Sequence, residues 1–330
     1  MIGGRPGVLT MLKRFVPIFL LFFALGCAQT SHSVAPAALG VTAAWPELEA
    51  QLAEPGPVRL TRVVAADWEV PLGGLLNLDH DRAQAADLED RPEPIQIYFY
   101  ALEHPTRGTF LVDTGVARSI AQRSDDMPIG WLVKQAMDLD ALDVHVDTAT
   151  WIERHGQPLR GVLLTHLHLD HILGLQDVPK TTPIYVGPGE AQQVRFQHLF
   201  TRSTTSDNLE GFGPLQELSV PARRGAPFGV LDLFGDGSVY GLHVPGHTAG
   251  SMAYVVRTPE GPHLIAGDGC HTAWGWEHDV EPGTFNADPE LAAQSFEKLR
   301  AFARAHPKLR VHLGHQELSH AHPQEPMAQR

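Results

Sequence analysis

Apolar and polar positions along this chain alternate in short runs, most of them strand-length. Val58 to Val64 and Pro94 to Leu102 are rich in β-branched and aromatic residues, and each predicts a strand. The stretch His104–Gly108 predicts a turn that returns the chain through a strand at Thr109 to Val112. Gly161 to Leu164 is apolar throughout, as expected of a strand buried on both faces. Further strand-like runs follow at 182–186, 230–233, 239–244, 251–256, 263–266 and 309–313. Helical spacing is found in fewer places. A short amphipathic piece spans Trp45 to Leu52, and Ala149 to His155 predicts a helix stopped by Gly156. Asp288 to Ala305 predicts a longer helix, with Asp288 as N-cap and Pro289 at its first position. Leu291, Phe296, Leu299 and Phe302 form its apolar stripe. Pro188 to Phe200 is expected to open another helix. Residues 116–148 read as a helical excursion over one end of a sheet, and 73–91 as a loop or covering arm. Residues 201–228, rich in Gly, Pro and Ser, predict little regular structure. Strands interleaved with helices place the chain in the α/β class.

Composition narrows this picture. At 330 residues, with 43% hydrophobic and 19% charged positions, the chain can bury a substantial core. Its formal net charge of −13 argues against nucleic acid as a partner. Two cysteines cannot supply a disulfide framework. The N-terminus carries Arg5, Lys13 and Arg14 ahead of an apolar stretch from Phe15 to Leu25, and ends in Ala24-Leu25-Gly26-Cys27. This resembles a bacterial lipoprotein signal over residues 1–27, in which Cys27 becomes the lipidated first residue. The match departs at Ala24, where such signals usually carry Leu. The expectation is an exported protein, periplasmic or anchored to the outer membrane, that meets the membrane only through a lipid on Cys27. Residues 28–57 are expected to be a tether, 58–317 the folded domain and 318–330 a flexible tail.

The candidate chemistry is concentrated in Thr165-His166-Leu167-His168-Leu169-Asp170-His171, directly after the strand at 161–164. Three imidazoles and a carboxylate in six residues are costly to bury, at roughly 2–7 kcal/mol for each unpaired polar group. A divalent cation removes that cost, because neutral imidazole and carboxylate are both zinc ligands. In an extended segment His166 and His168 point the same way, and Asp170 and His171 can turn toward a second ion. Other strands also end in a metal-competent residue beside glycine: Gly246-His247, Gly267-Asp268 and Gly314-His315. Each alone is ordinarily a turn. Their recurrence at strand ends, where sites in sheet folds gather, points to one shared centre. Asp113-Thr114-Gly115 also resembles an aspartic-protease signature, but that chemistry needs a second such aspartate, and none occurs.

These motifs together resemble the metallo-β-lactamase-fold hydrolase superfamily, over about residues 58–317. The resemblance implies a four-layer αβ/βα sandwich with two Zn2+ ions at one edge, other divalent transition metals being compatible with the same donors. It implies that His166, His168 and His247 bind one ion, that Asp170, His171 and His315 bind the other, and that Asp268 bridges them. Asp113 would support the ligands, and Asp170 would also serve catalysis by orienting or accepting a proton. The implied reaction is attack on a small ester or lactone by a hydroxide shared between the two ions. The bridging carboxylate and the stretch 243–251 are similar to acyl-homoserine lactonases. A phosphodiesterase or a thioesterase with the same site is the alternative, as is a non-catalytic zinc-binding lipoprotein. His271, Trp274 and Trp276 are candidate pocket residues, Cys270 is expected to be a buried apolar side chain, and the expected partner is a small molecule.

Overall fold

The computed structural model describes residues 26–318. The signal segment expected over 1–27 lies outside the described residues up to residue 25, and so does the tail expected over 318–330 beyond residue 318. In chain order the first strands are β1 (Cys27–Ala28), β2 (Val34–Pro36), β3 (Val41–Thr42), β4 (Arg59–Pro71) and β5 (Pro92–His104). Next come β6 (Gly108–Val112), β7 (Asp143–Val144), β8 (Leu159–Leu163), β9 (Ile184–Val186), β10 (Val194–Arg195) and β11 (Leu215–Glu217). The last are β12 (Gly229–Asp232), β13 (Val239–His243), β14 (Met252–Thr258), β15 (Gly261–Ile265) and β16 (Arg310–His312). The helices are α1 (Trp45–Gln51), α2 (Leu72–Leu75), α3 (Asp81–Ala85), α4 (Arg118–Ala121), α5 (Trp131–Met137) and α6 (Thr148–His155). They continue with α7 (Leu169–Ile172), α8 (His198–Asn208), α9 (Ala273–His278) and α10 (Pro289–Ala305).

An eight-stranded sheet runs in the order β2-β11-β9-β8-β6-β5-β4-β7, and a six-stranded sheet in the order β16-β15-β14-β13-β12-β3. Strand β14 shows how the layers stack. All seven of its residues are buried, so neither face meets water. Met252, Tyr254 and Val256 pack with Tyr98, Leu102, Phe110 and Leu163 of the larger sheet. Ala253 and Val255 face the other way, onto Leu48 of α1 and Phe296, Leu299 and Phe302 of α10. On the far face of the larger sheet, Ile97, Phe99, Leu111 and Val162 pack with Ile120, Val133 and Ile152 from α4, α5 and α6. The result is helix, sheet, sheet, helix, the sandwich that the family resemblance implied. Tyr254 secures the inter-sheet layer, its hydroxyl donating to the Leu164 carbonyl at 2.8 Å.

Caps and stops fall where the residue types demand. Asp147 accepts from the Thr150 amide at the start of α6, and Gly156 ends that helix in the left-handed conformation. Asp288 accepts from the Leu291 amide, with Pro289 in the first turn of α10.

Three segments differ from the sequence expectation. Strand β4 runs to Pro71 rather than Val64. A register shift between Val64 and Ala66 interrupts the alternation there, so the periodic pattern does not continue in phase. The helix expected over Pro188 to Phe200 begins only at His198 and extends through Asn208, into a region expected to lack structure. Its Thr- and Ser-rich sequence is a poor helix former, and tertiary bonds support it: Asn208 donates to the Pro128 carbonyl and Thr204 accepts from the Gly130 amide. The expected tether 28–57 is built into the sandwich, with β2 pairing with β11 and β3 with β12. Two- and three-residue strands carry no periodic signal of their own.

Leu299 is fully buried under the smaller sheet. Leu299→Ala is expected to destabilise the chain by about 2–5 kcal/mol, measured as a lowered urea midpoint with an unchanged slope.

Candidate metal centre

Loops after four strands deliver the chemistry to one rim of the sandwich. Beyond β8 the chain bends at Thr165, His168 is extended at the N-cap of the one-turn helix α7, and Asp170 and His171 lie in that helix. His247 follows β13, Asp268 follows β15 and His315 follows β16. Glycine is required beside two of them by close approach. A Cβ at Gly246 would lie 2.3 Å from the Ala292 backbone nitrogen of α10, and one at Gly314 would lie 2.3 Å from Asp268 Oδ1.

The donors form two groups that share Asp268: His166, His168 and His247 in one, and Asp170, His171 and His315 in the other. Within each group the donor atoms all lie within 4.8 Å of one another. His247 Nε2 is 3.1 Å from His166 Nε2 and 2.8 Å from His168 Nδ1. Asp268 Oδ2 is 3.3 Å from His247 Nε2 and 3.4 Å from His315 Nε2, while its Oδ1 is 3.4 Å from His171 Nε2. Asp170 Oδ2 lies 3.3 Å from His315 Nε2. All seven residues expected as ligands therefore converge, in the grouping that the family resemblance implied.

The outer nitrogens explain why lone pairs face inward. His171 Nδ1 donates to Asp113 Oδ2 at 2.8 Å, and His315 Nδ1 donates to the Gln96 carbonyl at 3.1 Å. His247 Nδ1 donates to Asn286 Oδ1 at 3.1 Å, and the Asn286 amide is itself oriented by the Gly283 carbonyl. A neutral imidazole with its proton on Nδ1 presents an acceptor at Nε2. Acceptors thus confront acceptors at 3.1–3.4 Å, which is repulsive unless a cation or protons lie between them. His171 Nε2, Asp268 Oδ1 and His271 Nε2 are buried without a hydrogen-bond partner. Such orphaned donor atoms, all nitrogen or carboxylate oxygen, fit divalent transition-metal ions of the zinc type.

Electrostatics agree. Burial, together with neighbouring imidazoles, holds His166 and His247 well below the usual imidazole range, and burial brings His168 to about 4, so all three favour the neutral ligand form. Burial also disfavours charge on His171, but Asp268, Asp113 and Asp170 outweigh it and raise His171 well above the ordinary value. His315 is raised in the same way, mainly by Asp268. Burial would raise Asp268, yet the surrounding histidines hold it well below the usual carboxylate range.

Asp113 organises the centre from outside. Its backbone has φ 56°, a left-handed conformation that Asp tolerates better than most residues. Its carboxylate accepts from the Thr165 amide and hydroxyl as well as from His171. Two supporting residues were not foreseen. Asn286 is one. The other is Glu190, fully buried, whose Oε1 accepts from the Leu167 amide and whose Oε2 accepts from Thr248 Oγ1 and the Gly250 amide. One carboxylate thereby ties the loop of His166 and His168 to the loop of His247. The segment expected to start a helix at Pro188 is occupied by this contact.

The candidate pocket residues divide. His271 Nδ1 donates to the Leu75 carbonyl, and its Nε2 lies 3.3 Å from Asp268 Oδ2. Trp276 instead packs on Phe296 beside the smaller sheet, and Trp274 stacks on His278 and joins Leu72, Leu76 and Val280. Cys270 is buried in the apolar core, which pushes its thiol up to about 12.

Asp113→Asn is expected to weaken divalent-metal retention about 10–100-fold, measured by competition with a chromogenic chelator. Retention is also expected to depend on pH. Raised His171 and His315 stay protonated to higher pH, so a cation must displace their protons; affinity should fall as pH drops from 8 to 5.5 in equilibrium dialysis. An affinity unchanged over that range would contradict this.

A family profile described as the Metallo-beta-lactamase superfamily matches residues 91–315. The chain is 27% identical over 242 residues to the N-acyl homoserine lactonase AttM of Agrobacterium fabrum, covering 70% of this chain and 84% of the relative. Its fold superposes on a crystal structure of a quorum-quenching N-acyl homoserine lactone lactonase with TM-score 0.55 and 18% identity, covering 79% of this chain and 93% of the other. It superposes on AidC, a dizinc quorum-quenching lactonase in complex with a product, with TM-score 0.54 and 14% identity, covering 79% and 88%. The family match spans well over half of the chain, across the strands and loops that carry the donor cluster: this protein belongs to the metallo-β-lactamase superfamily of hydrolases.

Proposed function

We propose that the chain is a dinuclear-zinc hydrolase that opens small lactones bearing an apolar acyl group. The observation that carries this reading is a cavity of about 330 Å3 that ends on the donor cluster, at His168, Asp170, His247, Asp268 and His315. Its walls include Trp68, Val70, Leu75, Ile95, Met137 and Phe285, so an acyl chain would leave water on binding, at roughly 0.8 kcal/mol per methylene. The volume is that of a small-molecule site. The activity carried in the name of the Agrobacterium relative supports a lactone over other esters.

His166, His168, His247 and Asp268 would hold one cation, and Asp170, His171, His315 and Asp268 the other. Zinc ions, if bound by these residues, would supply an activated water and polarise the acyl oxygen. The residues of the chain do the rest. Water adds to the lactone carbonyl carbon, the ring carbon–oxygen bond breaks, and the proton lost by water ends on the departing ring oxygen. Asp170 lines the cavity and is partly exposed there, which supports a role for its carboxylate in orienting the water and carrying that proton. The apolar walls exclude competing water and fix the acyl group. No side-chain nucleophile is called for, and the Cys270 thiol, buried and hard to ionise, does not offer one.

The metal-loaded protein is expected to hydrolyse N-acyl homoserine lactones and to lose that activity on chelation, with recovery on adding Zn2+. His166→Ala should reduce turnover to the level of the chelated protein while leaving the far-ultraviolet circular dichroism unchanged. Cleavage of bis-nitrophenyl phosphate without lactone opening would overturn the assignment in favour of a phosphodiesterase.

A further inference from the structure

The rim of the cavity carries an exposed apolar face that the hydrolytic site does not use. Phe196 and Val194 are each 60% exposed, Phe200 51% and Leu199 46%. Phe196 and Phe200 meet edge to face at 5.8 Å, so they form one surface and not scattered residues. Trp131, 72% exposed, stands on α5, which packs against α8. Large aromatic and aliphatic side chains left in water together mark an interaction surface.

Three observations say what covers it. First, α8 divides its sides: His198, Thr201 and Thr205, with Gln197 just before the helix, line the cavity, while Leu199 and Phe200 face solvent. The apolar face and the cavity mouth therefore belong to one rim. Second, Arg195 and Arg202 stand among the exposed apolar residues of 194–202, a stretch without an acidic residue, while Asp207 lies at the far end of α8 and Asp138 at the end of α5. A basic flank beside exposed aromatics is the pattern of a surface that lies on anionic lipid. Third, the N-terminal segment arrives at this place. Strand β1 pairs with β10 through Cys27 opposite Arg195, His198 Nδ1 donates to the Cys27 carbonyl, and Gly26 lies against the Val194 side chain. The sequence immediately before it, Phe15 to Leu25, is apolar in nearly every position.

We propose that Val194, Phe196, Leu199, Phe200 and Trp131 form a docking face for the surface of an anionic phospholipid bilayer, with the cavity mouth turned toward the lipid. The N-terminal segment, or a lipid on Cys27, would hold the chain at the bilayer, and the face would set its orientation. Membrane contact then extends beyond the N-terminus, to which sequence alone confined it. A lipophilic substrate would reach the cavity from the bilayer without crossing bulk water. That consequence rests on the proposed function; the docking itself does not.

The test uses the full 330-residue chain reconstituted with vesicles of phosphatidylcholine and phosphatidylglycerol at 3:1, with and without brominated acyl chains. The difference between the wild-type and Trp131→Phe signals isolates the emission of Trp131. Brominated lipid is expected to quench that emission at least twofold. The double variant Phe196→Ser, Phe200→Ser should lose at least half of the quenching while keeping the thermal unfolding midpoint of the parent. Trp131 emission that is insensitive to brominated lipid in vesicle-bound protein would overturn the proposal, as would failure to bind vesicles. So would a concentration-dependent dimer in sedimentation that the double variant dissociates, which would make the face a contact with a second copy. Equal shielding of Trp131 in the absence of vesicles, lost when residues 15–25 are replaced by serine and glycine, would assign the face to that segment instead.

Discussion

Electrostatic repulsion among buried acceptors is the constraint on which the structure depends. Five imidazoles and two carboxylates turn their lone pairs toward a common centre. Each imidazole of the trio His171, His247 and His315 is fixed by a hydrogen bond from its outer nitrogen, to Asp113, Asn286 and the Gln96 carbonyl. Those outer bonds choose the tautomer, and the tautomer leaves Nε2 as an acceptor facing other acceptors. Without positive charge between them the arrangement would be driven apart. The carboxylates of Asp268, Asp113 and Asp170 favour positive charge on His171, and Asp268 favours it on His315, so the centre attracts positive charge. Divalent cations would supply all of it, and would satisfy the orphaned Nε2 and Oδ1 atoms at the same time.

The sandwich resists the repulsion. The donors sit on separate loops, but each loop leaves a strand locked in a sheet. Tyr254 ties β14 to the Leu164 carbonyl just before the His166 loop. Glu190 bridges that loop to the one carrying His247. Gly314 and His315 donate their amides to the Cys270 and His271 carbonyls, which joins the loop of His315 to the loop of Asp268. Cross-links of this kind hold the donor cluster together against its own charge.

Much of this was legible in the amino-acid order, for a local reason. A strand run, a glycine and a histidine are contiguous, so each donor could be found where it stands, and the recurrence of the pattern identified a shared rim. Asn286 and Glu190 were not legible. Each acts on partners 23 to 60 positions away, and nothing in its own neighbourhood marks it. Residues 28–57 looked like a tether because Ser, Ala, Pro and Gly are prominent, yet two short strands there complete one edge of each large sheet. The run of α8 beyond Phe200 was not expected because its Thr and Ser content opposes helix formation, and contacts with α5 and with Thr30 override that preference. Trp274 and Trp276 follow Asp268 closely in sequence, but α9 carries both into packing away from the cavity.

The central claim is that the two donor groups each bind a cation and share Asp268. Its most direct test is the metal-to-protein ratio of the purified full-length chain, dialysed against metal-free buffer and read by inductively coupled plasma mass spectrometry. The account predicts two equivalents of a divalent transition metal in the parent chain. It predicts a loss of at least one equivalent on His247→Ala and, separately, on His315→Ala. A parent chain without metal, or a ratio indifferent to both replacements, would contradict it.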